Sequence, residues 1–278
     1  LCTDFPSPFS YFSTNQNSKS AFIEAVCREL ILRKSEYASD EIQSIYFGGG
    51  TPTVLDVTEL NTILKTVYKN YKVSETAEIT LEANPDDLDL EKIKQLLNTK
   101  INRLSIGIQS FHESELSAMN RAHNAEDAKK CLELATAYFD NITIDLMFGM
   151  PTMSIQLWRQ NLQIAFEFGI KHLSCYSLTV EPKTALEHFI KKGSHPPMDD
   201  ELAAQHFEVL LEETSAHGLT HYETCSFGHP DYFSKHNTSY WLGKTYMGVG
   251  PSAHSFDGKS RSWNLSNNTK YIKSLEAN

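Results

Sequence analysis

The feature that most constrains the fold is a repeated alternation of short apolar β-type runs with helical stripes. Five such units follow one another, each of about 30 residues, which is the length expected of a strand with its crossover helix. A strand that is followed by a helix and another strand predicts a parallel sheet with right-handed crossovers. The predicted strands cover residues 42–47, 77–81, 103–108, 142–147 and 172–180, and the predicted helices cover 18–35, 88–97, 112–119, 124–138 and 154–168, with a further helix starting at Asp56.

Polar residues at the ends of these strands distinguish between two parallel architectures. In an open, doubly wound sheet the ligand-binding groups gather at one switch point, whereas in a barrel they come from the ends of successive strands. Here nearly every predicted strand ends in a polar signal, so we favour a complete or partial (βα) barrel. The signals are a glycine turn at 48–51, Glu82, Gln109 with Ser110, Asp145, and Tyr176 with Ser177.

The pattern changes after residue 180. A helix is predicted over 198–217, followed by short β-type pieces at 221–227 and 246–256 and by a last helix from about Asn268. This part is typical of an antiparallel and helical addition. We therefore predict a barrel domain over residues 1–190 and a C-terminal extension over 191–278.

Charge and composition narrow the class of protein. The 278 residues carry a formal net charge of -10, which argues against a nucleic-acid surface. No run approaches the roughly 18 apolar residues of a membrane span, and no signal peptide is visible. Five scattered cysteines suit reduced thiols. We expect a cytoplasmic protein without a membrane span or a nucleic-acid partner.

The chemistry of the strand ends predicts a ligand with an amino acid end and a nucleoside end. Glycines leave the backbone open to a polar ligand. Glu82 and Asp145 follow apolar runs, so each carboxylate must be paired or must bind a polar group such as ribose hydroxyls. Gln109 can donate and accept hydrogen bonds, and Arg121 could hold a carboxylate bidentately. Each signal also has a structural interpretation: a turn or helix cap at 84–87, a buried pair for Asp145, and a surface position for Arg121.

As an ordered set, these motifs resemble the radical S-adenosylmethionine enzymes, and within them the group of oxygen-independent coproporphyrinogen III oxidase and the haem chaperone HemW. The resemblance implies a partial (βα)6 barrel of the TIM type with a C-terminal extension. It covers residues from about 40 to 256. The matching segments are 46–53, 81–85, 103–111 (RLSIGIQSF), 120–123 (NRAH), 145–151 (DLMFGMP), 176–184 and 236–256.

The resemblance also implies cofactors and the residues that bind them. In this family a [4Fe-4S] cluster reduces S-adenosylmethionine to methionine and a 5′-deoxyadenosyl radical. By resemblance, Gly49, Gly50 and Thr51 hold the amino group of S-adenosylmethionine. Glu82, Gln109, Arg121 and Asp145 stand at further positions that contact that cofactor. No catalytic residue is assigned in this chain.

The cysteines depart from the family pattern. The family binds its cluster through a Cys-x3-Cys-x2-Cys loop, and this sequence contains no such spacing. Cys2 lies near the expected place, Cys27 falls in the first helix, and residues 11–14 resemble the family segment that comes directly after the third cysteine. Either the cluster loop is not part of this chain, or the protein has lost its cluster. The surviving cofactor positions favour the first interpretation, and the metal ligands stay unassigned.

Residues 236–241 resemble the HNxxYW motif of HemW-like members, which is linked to haem handling. His236 could ligate haem iron, and Tyr240 and Trp241 could flank a flat macrocycle. In the alternative interpretation His236 caps a helix and Trp241 packs in the core. Three functions are compatible with these observations: a haem chaperone with client proteins and a reductant, an oxygen-independent coproporphyrinogen III oxidase acting on a porphyrinogen, or a cluster-free barrel that binds a nucleoside.

Overall fold

The structure, a computed structural model, describes residues 16–37, 40–180, 182, 184–193 and 195–276. The expectations for Cys2 and for residues 11–14 lie outside this part of the chain. Over the described ranges, no helix combines the length and the apolar character needed to cross a lipid bilayer.

The helices begin where the sequence supplies caps. Asp56 accepts a hydrogen bond from the Glu59 amide at 2.9 Å, and Ser154 accepts one from the Leu157 amide at 3.2 Å, so the predicted helix starts at these two residues are confirmed. The described helices are α1 Gln16–Leu32, α2 Val57–Asn70, α3 Leu90–Leu96, α4 Glu113–Ala118, α5 Ala125–Tyr138, α6 Ile155–Glu167, α7 Ala185–Lys191, α8 Asp200–Ala216, α9 Lys235–Trp241 and α10 Asn268–Glu276.

The predicted α/β fold, with parallel βα units and an antiparallel addition, is confirmed. The strands of the main sheet follow the order β1-β2-β3-β4-β5-β7-β6, in which β1 with β2, β3 with β4 and β4 with β5 pair in parallel and β7 is antiparallel to β5 and β6. Strands β8 and β9 form a separate antiparallel pair. The strands are β1 Glu41–Phe47, β2 Lys72–Ala83, β3 Arg103–Gln109, β4 Ile142–Phe148, β5 His172–Ser177, β6 Thr220–His221, β7 Ser226–Gly228, β8 His254–Phe256 and β9 Arg261–Trp263.

Several boundaries differ from the prediction. The β-type piece predicted at 221–227 is the two short strands β6 and β7, and β8 covers only the end of the piece predicted at 246–256. Strand β2 begins at Lys72, five residues before the predicted start; this part escapes prediction because it is exposed or half-buried and has a single apolar residue, Val73. Strand β5 ends at Ser177 rather than at residue 180. Helix α7 is not predicted from the sequence at all.

The chain forms two compact units, each of which is built from separate chain segments. The first contains Leu1–Ala83, Glu91–Arg103 and Ser234–Asn278, and the second contains Asn84–Leu90 and Leu104–Phe233. The expected domain boundary at residue 190 stays a prediction.

In the first unit, a buried glutamate ties helix α1 to the C-terminal segment. Glu29 is 4% exposed, and its carboxylate accepts hydrogen bonds from the Gly250 amide at 2.9 Å and from Asn264 Nδ2 and the Tyr271 hydroxyl at 2.7 Å. Arg33 Nη1 lies 2.9 Å away and completes an ion pair. Burial, followed by the Glu29 charge, raises the pKa of Tyr271 far above its usual range.

In the second unit, helices α6 and α8 hold the loop that follows β4. Trp158 is fully buried and donates its indole N–H to the His206 carbonyl at 2.9 Å. The His206 Nδ1 atom in turn accepts a hydrogen bond from the Gly149 amide at 3.0 Å. Gly149 has φ +76°, which favours glycine at this turn.

We expect Glu29→Ala to lower the free energy of unfolding by about 3–5 kcal/mol, because it leaves Arg33 and three polar groups without their buried acceptor. Urea unfolding followed by circular dichroism measures the change. Glu24→Ala, an exposed position on the same helix, is the matched control. Equal stabilities of the two variants would contradict the role given to Glu29.

Candidate functional site

The glycine turn after β1 is enforced by close contacts. A Cβ atom on Gly48 would lie 2.5 Å from the Tyr46 ring and 2.6 Å from the Glu82 carboxylate, closer than real Cβ atoms come. Gly49 has φ +81° and its amide donates to Glu82 Oε2 at 3.1 Å. The first of these glycines is required by space and the second by backbone conformation.

Glu82, at the end of β2, is the charged centre of this turn. It is half-buried, and Tyr46 donates its hydroxyl to Oε1 at 2.9 Å. Burial raises the pKa of Glu82, while the hydrogen bonds from Tyr46 and Gly49 oppose the rise. A cation or a further hydrogen-bond donor that binds to this carboxylate therefore stabilises its charged form.

The remaining glycine-turn residues lead into a short 3-10 turn, Pro52–Val54. Thr51 precedes it, and its carbonyl accepts a hydrogen bond from the Val54 amide at 3.1 Å. Gly50 and Thr51 are both half-buried. The loop is thus held by its own backbone in the conformation that follows the glycines.

The His236 imidazole lies against the other side of Tyr46. The two rings are stacked, with centroids 4.7 Å apart and an interplanar angle of 23°. Hydrogen bonds join His236 Nδ1 to Ser44 Oγ at 3.0 Å and His236 Nε2 to the Tyr240 hydroxyl at 2.9 Å. Burial lowers the pKa of His236 to about 4, so the ring is neutral at physiological pH.

The alternative interpretation of the HNxxYW segment is wrong. Ser234, not His236, caps helix α9, because its side chain accepts from the Asn237 amide at 3.1 Å. Trp241 is 62% exposed and does not pack in the core. The roles of Ser44 and Tyr46 are not predicted from the sequence. The two residues lie four and two positions before Gly48 and share one face of β1, because alternate residues of a strand point to the same side.

In the second unit, three predicted or neighbouring polar side chains surround Gly107. A Cβ atom there would lie 3.1 Å from Gln109 Nε2, 3.4 Å from Arg121 Nη2 and 3.7 Å from Asn84 Oδ1. Arg121 Nη2 donates to Asn84 Oδ1 at 2.9 Å and to the Gly107 carbonyl at 3.2 Å. Glycine at 107 thus leaves room for these polar groups to meet over β3.

Arg121 is half-buried rather than on the surface. Burial lowers its pKa, and the charges of Asp86 and Asp145 oppose this. Its Nε atom is buried and has no hydrogen-bond partner within the described part of the chain. A buried donor of this kind fits an anionic ligand group such as a carboxylate.

Asn84 acts as a partner of Arg121 rather than as a helix cap. It precedes the short 3-10 turn Pro85–Asp87 without capping it through its side chain. Its Nδ2 donates to Asp87 Oδ2 at 3.2 Å. Asp145, in the middle of β4 and half-buried, lies opposite Ser174 of β5.

Gln109 and Ser110 are adjacent in the sequence but lie in different surroundings. Gln109 has φ +65° and is half-buried, whereas Ser110 is fully buried and donates its hydroxyl to Glu115. Asn161 of helix α6 accepts from the Phe111 amide at 2.7 Å and donates to Glu115 at 3.2 Å. This core network holds the unusual backbone of Gln109, and Ser110 belongs to it rather than to a ligand site.

Within the described ranges, two side chains have the chemistry that the amino acid end of S-adenosylmethionine requires, whereas no ligand set for an iron–sulfur cluster is present. Glu82 and the unpartnered Arg121 Nε are groups that would hold an ammonium and a carboxylate. Cys27, Cys131 and Cys175 lie on α1, α5 and β5, and Cys225 lies in the turn before β7, where its carbonyl accepts a hydrogen bond from the Cys175 amide at 2.8 Å. Over the ranges the structure describes, no group of three or more histidine, cysteine or acidic residues could hold a metal ion. Convergence of the seven predicted residues around one ligand stays a prediction.

Comparison with known proteins identifies relatives. Residues 26–164 match the Radical SAM superfamily. The chain is 34% identical to the haem chaperone HemW of Bacillus subtilis over 95% of this chain and 70% of that protein. It is 36% identical to HemW of Escherichia coli over 77% of this chain and 56% of that protein. The chain thus spans between about half and seven tenths of these relatives.

A solved structure supports the fold. Coproporphyrinogen III oxidase (HemN) from Escherichia coli superposes with a TM-score of 0.79 at 22% identity, covering 95% of this chain and 64% of that one. At this level of identity the similarity concerns the fold alone. It confirms the predicted partial-barrel architecture of the radical SAM type.

The buried imidazole makes a pH-dependent contribution to stability. The folded pKa of about 4 lies below the value of about 6.5 for an unfolded histidine, so between these values the unfolded chain binds more protons. We expect the stability difference between wild type and His236→Gln to fall as pH decreases from about 6.5 to about 4. Urea unfolding across this range measures it, with His188→Gln, an exposed position, as control. A constant difference would contradict the buried neutral state.

Proposed function

Because the chain belongs to the radical SAM superfamily and to the HemW family within it, we propose that it binds S-adenosylmethionine and haem and acts as a haem chaperone. Membership implies a [4Fe-4S] cluster and S-adenosylmethionine. The cysteines of this sequence do not supply the family's cluster ligands, so we assign no radical step to this chain.

In the proposed S-adenosylmethionine site, different residues bind the ammonium group, the carboxylate and the ribose of the ligand. Glu82, with the backbone of Gly50 and Thr51, takes the ammonium group. The unpartnered Arg121 Nε takes the carboxylate, with Gln109 beside it. Asp145 takes the ribose hydroxyls, as a carboxylate accepts two such bonds.

The buried, neutral His236 carries the haem part of the proposal. A neutral imidazole presents the lone pair that ligates iron, and a pKa of about 4 keeps it neutral at physiological pH. On ligation through Nε2, the iron takes the place of the Tyr240 hydroxyl. Trp241 and Leu242, 62% and 66% exposed, offer apolar surface to a flat macrocycle.

The setting of this function follows from the same proposal. Haem is the cargo, and the partners are haem-receiving client proteins and a reductant. The five cysteines of the sequence are scattered, which suits the reduced thiols that a cytoplasm maintains. We therefore propose a cytoplasmic location.

The distribution of cysteines favours one second candidate, a cluster-free barrel that binds a nucleoside-like ligand without redox chemistry. The iron content after anaerobic reconstitution with iron and sulfide distinguishes the two candidates. Oxygen-independent coproporphyrinogen III oxidase activity, the further alternative, is supported by the resemblance of the motifs to this group and by similarity of fold.

We expect His236→Ala to weaken haem binding at least about tenfold, equivalent to about 1.4 kcal/mol, because it removes the iron ligand. Titration of the protein with haem, followed by absorbance, gives the affinity. His188→Ala, on exposed α7, is the control and should bind like wild type. Identical titrations of His236→Ala and wild type would remove the role of this histidine.

We expect Glu82→Gln and Arg121→Gln each to weaken S-adenosylmethionine binding about 10- to 100-fold, because each loses a charged hydrogen-bonding group worth about 1.5–3 kcal/mol. Isothermal titration calorimetry measures the affinity. Glu75→Gln, at an exposed position of β2, is the control. Wild-type affinity in both site variants would overturn the proposed cofactor site.

A further inference from the structure

We propose that Tyr46 is a positioning residue that couples the two ligand sites, so that S-adenosylmethionine binding at Glu82 changes the affinity of His236 for haem. The inference rests on the proposed function, because it requires both ligands. It adds a mutual dependence between them, and it assigns that dependence to one side chain of β1.

The hydroxyl of Tyr46 connects it to the cofactor carboxylate. It donates to Glu82 Oε1 at 2.9 Å, while the Gly49 amide occupies Oε2. A ligand ammonium that reaches this half-buried carboxylate competes with the phenol for the same oxygens. The Tyr46 ring packs closely against Gly48, where there is no space for a Cβ atom. Because the ring is confined on that side, a change at Glu82 shifts the ring.

The ring of Tyr46 connects it to the haem residue. It stacks on His236 at 4.7 Å, and the imidazole is held at Nδ1 by Ser44 and at Nε2 by Tyr240. Three contacts thus define the orientation of the imidazole. A displacement of the phenol ring changes the direction in which Nε2 can meet an iron atom.

The backbone around these side chains is firmly anchored. Strands β1 and β2 pair in parallel, with Tyr46 opposite Thr80. Glu78 of β2 is 5% exposed, and its carboxylate accepts from the backbone amides of Lys235 and His236, both at 3.0 Å. Because the first turn of α9 is fixed to β2, coupling between the sites passes through the side chains rather than through movement of the helix.

Coupling of this kind is reciprocal. If S-adenosylmethionine changes the haem affinity by some factor, haem must change the S-adenosylmethionine affinity by the same factor. Typical couplings amount to about 5- to 150-fold. We expect the wild-type protein to show at least about a fivefold change in each direction.

The test is haem titration of the full chain with and without saturating S-adenosylmethionine. In wild type we expect the two haem affinities to differ at least about fivefold. In Tyr46→Phe, which keeps the stacked ring and loses the hydroxyl, the factor should fall to near one. Tyr68→Phe, a partly exposed tyrosine of α2, should keep the wild-type factor. Circular dichroism checks that each variant is folded.

The outcomes separate this inference from the proposed function. If wild type binds neither haem nor S-adenosylmethionine, the proposed function fails, and the coupling with it. If both ligands bind but their affinities are independent, only the inference fails. An unchanged factor in Tyr46→Phe also overturns it, because coupling would then exist without this hydroxyl. A merely structural role of Tyr46 would shift stability and leave the factor unaltered.

Discussion

Burial of charged carboxylates at strand and helix positions is the constraint on which the first unit depends. A buried carboxylate must be matched by donors, and in this unit the donors come from distant parts of the chain. Glu29 is matched by groups from residues 250, 264 and 271, and Glu78 by amides of residues 235 and 236. These contacts fasten the last part of the chain to its first helix and to β2, and they place His236 beside Tyr46.

In the second unit, the buried polar groups are held by hydrogen-bonding networks within the core. Ser110, Glu115 and Asn161 are hydrogen-bonded to one another and hold the turn after β3. His206 and Trp158 do the same for the loop after β4. The first network supports Gln109, a proposed ligand-binding residue, through polar groups that are not themselves assigned to the ligand.

Much of the fold and part of the site can be predicted because the signals are local. Apolar runs identify the strands. Glu82 and Gln109 stand out because each is a polar residue that directly follows such a run. The first half of β2 has one apolar residue in its first five positions, and α7 is only seven residues long, so both escape prediction. The rings of Tyr46 and His236 stack although the two residues are 190 positions apart in the sequence, and no pattern within either segment predicts this contact. Ser110 shows the limit of the local rule, since the positive φ of Gln109 turns neighbouring side chains to different surroundings.

The membership of residues 234–278 in the first compact unit bears on how the protein can be shortened. Although these residues come last, they supply the partners of two acids that lie near the beginning. A chain cut before Ser234 would keep Glu29 and Glu78 in an apolar setting with most of their donors removed. The C-terminal segment is therefore an integral component of the parallel β1–β2 layer, and a truncated version of the protein must retain it.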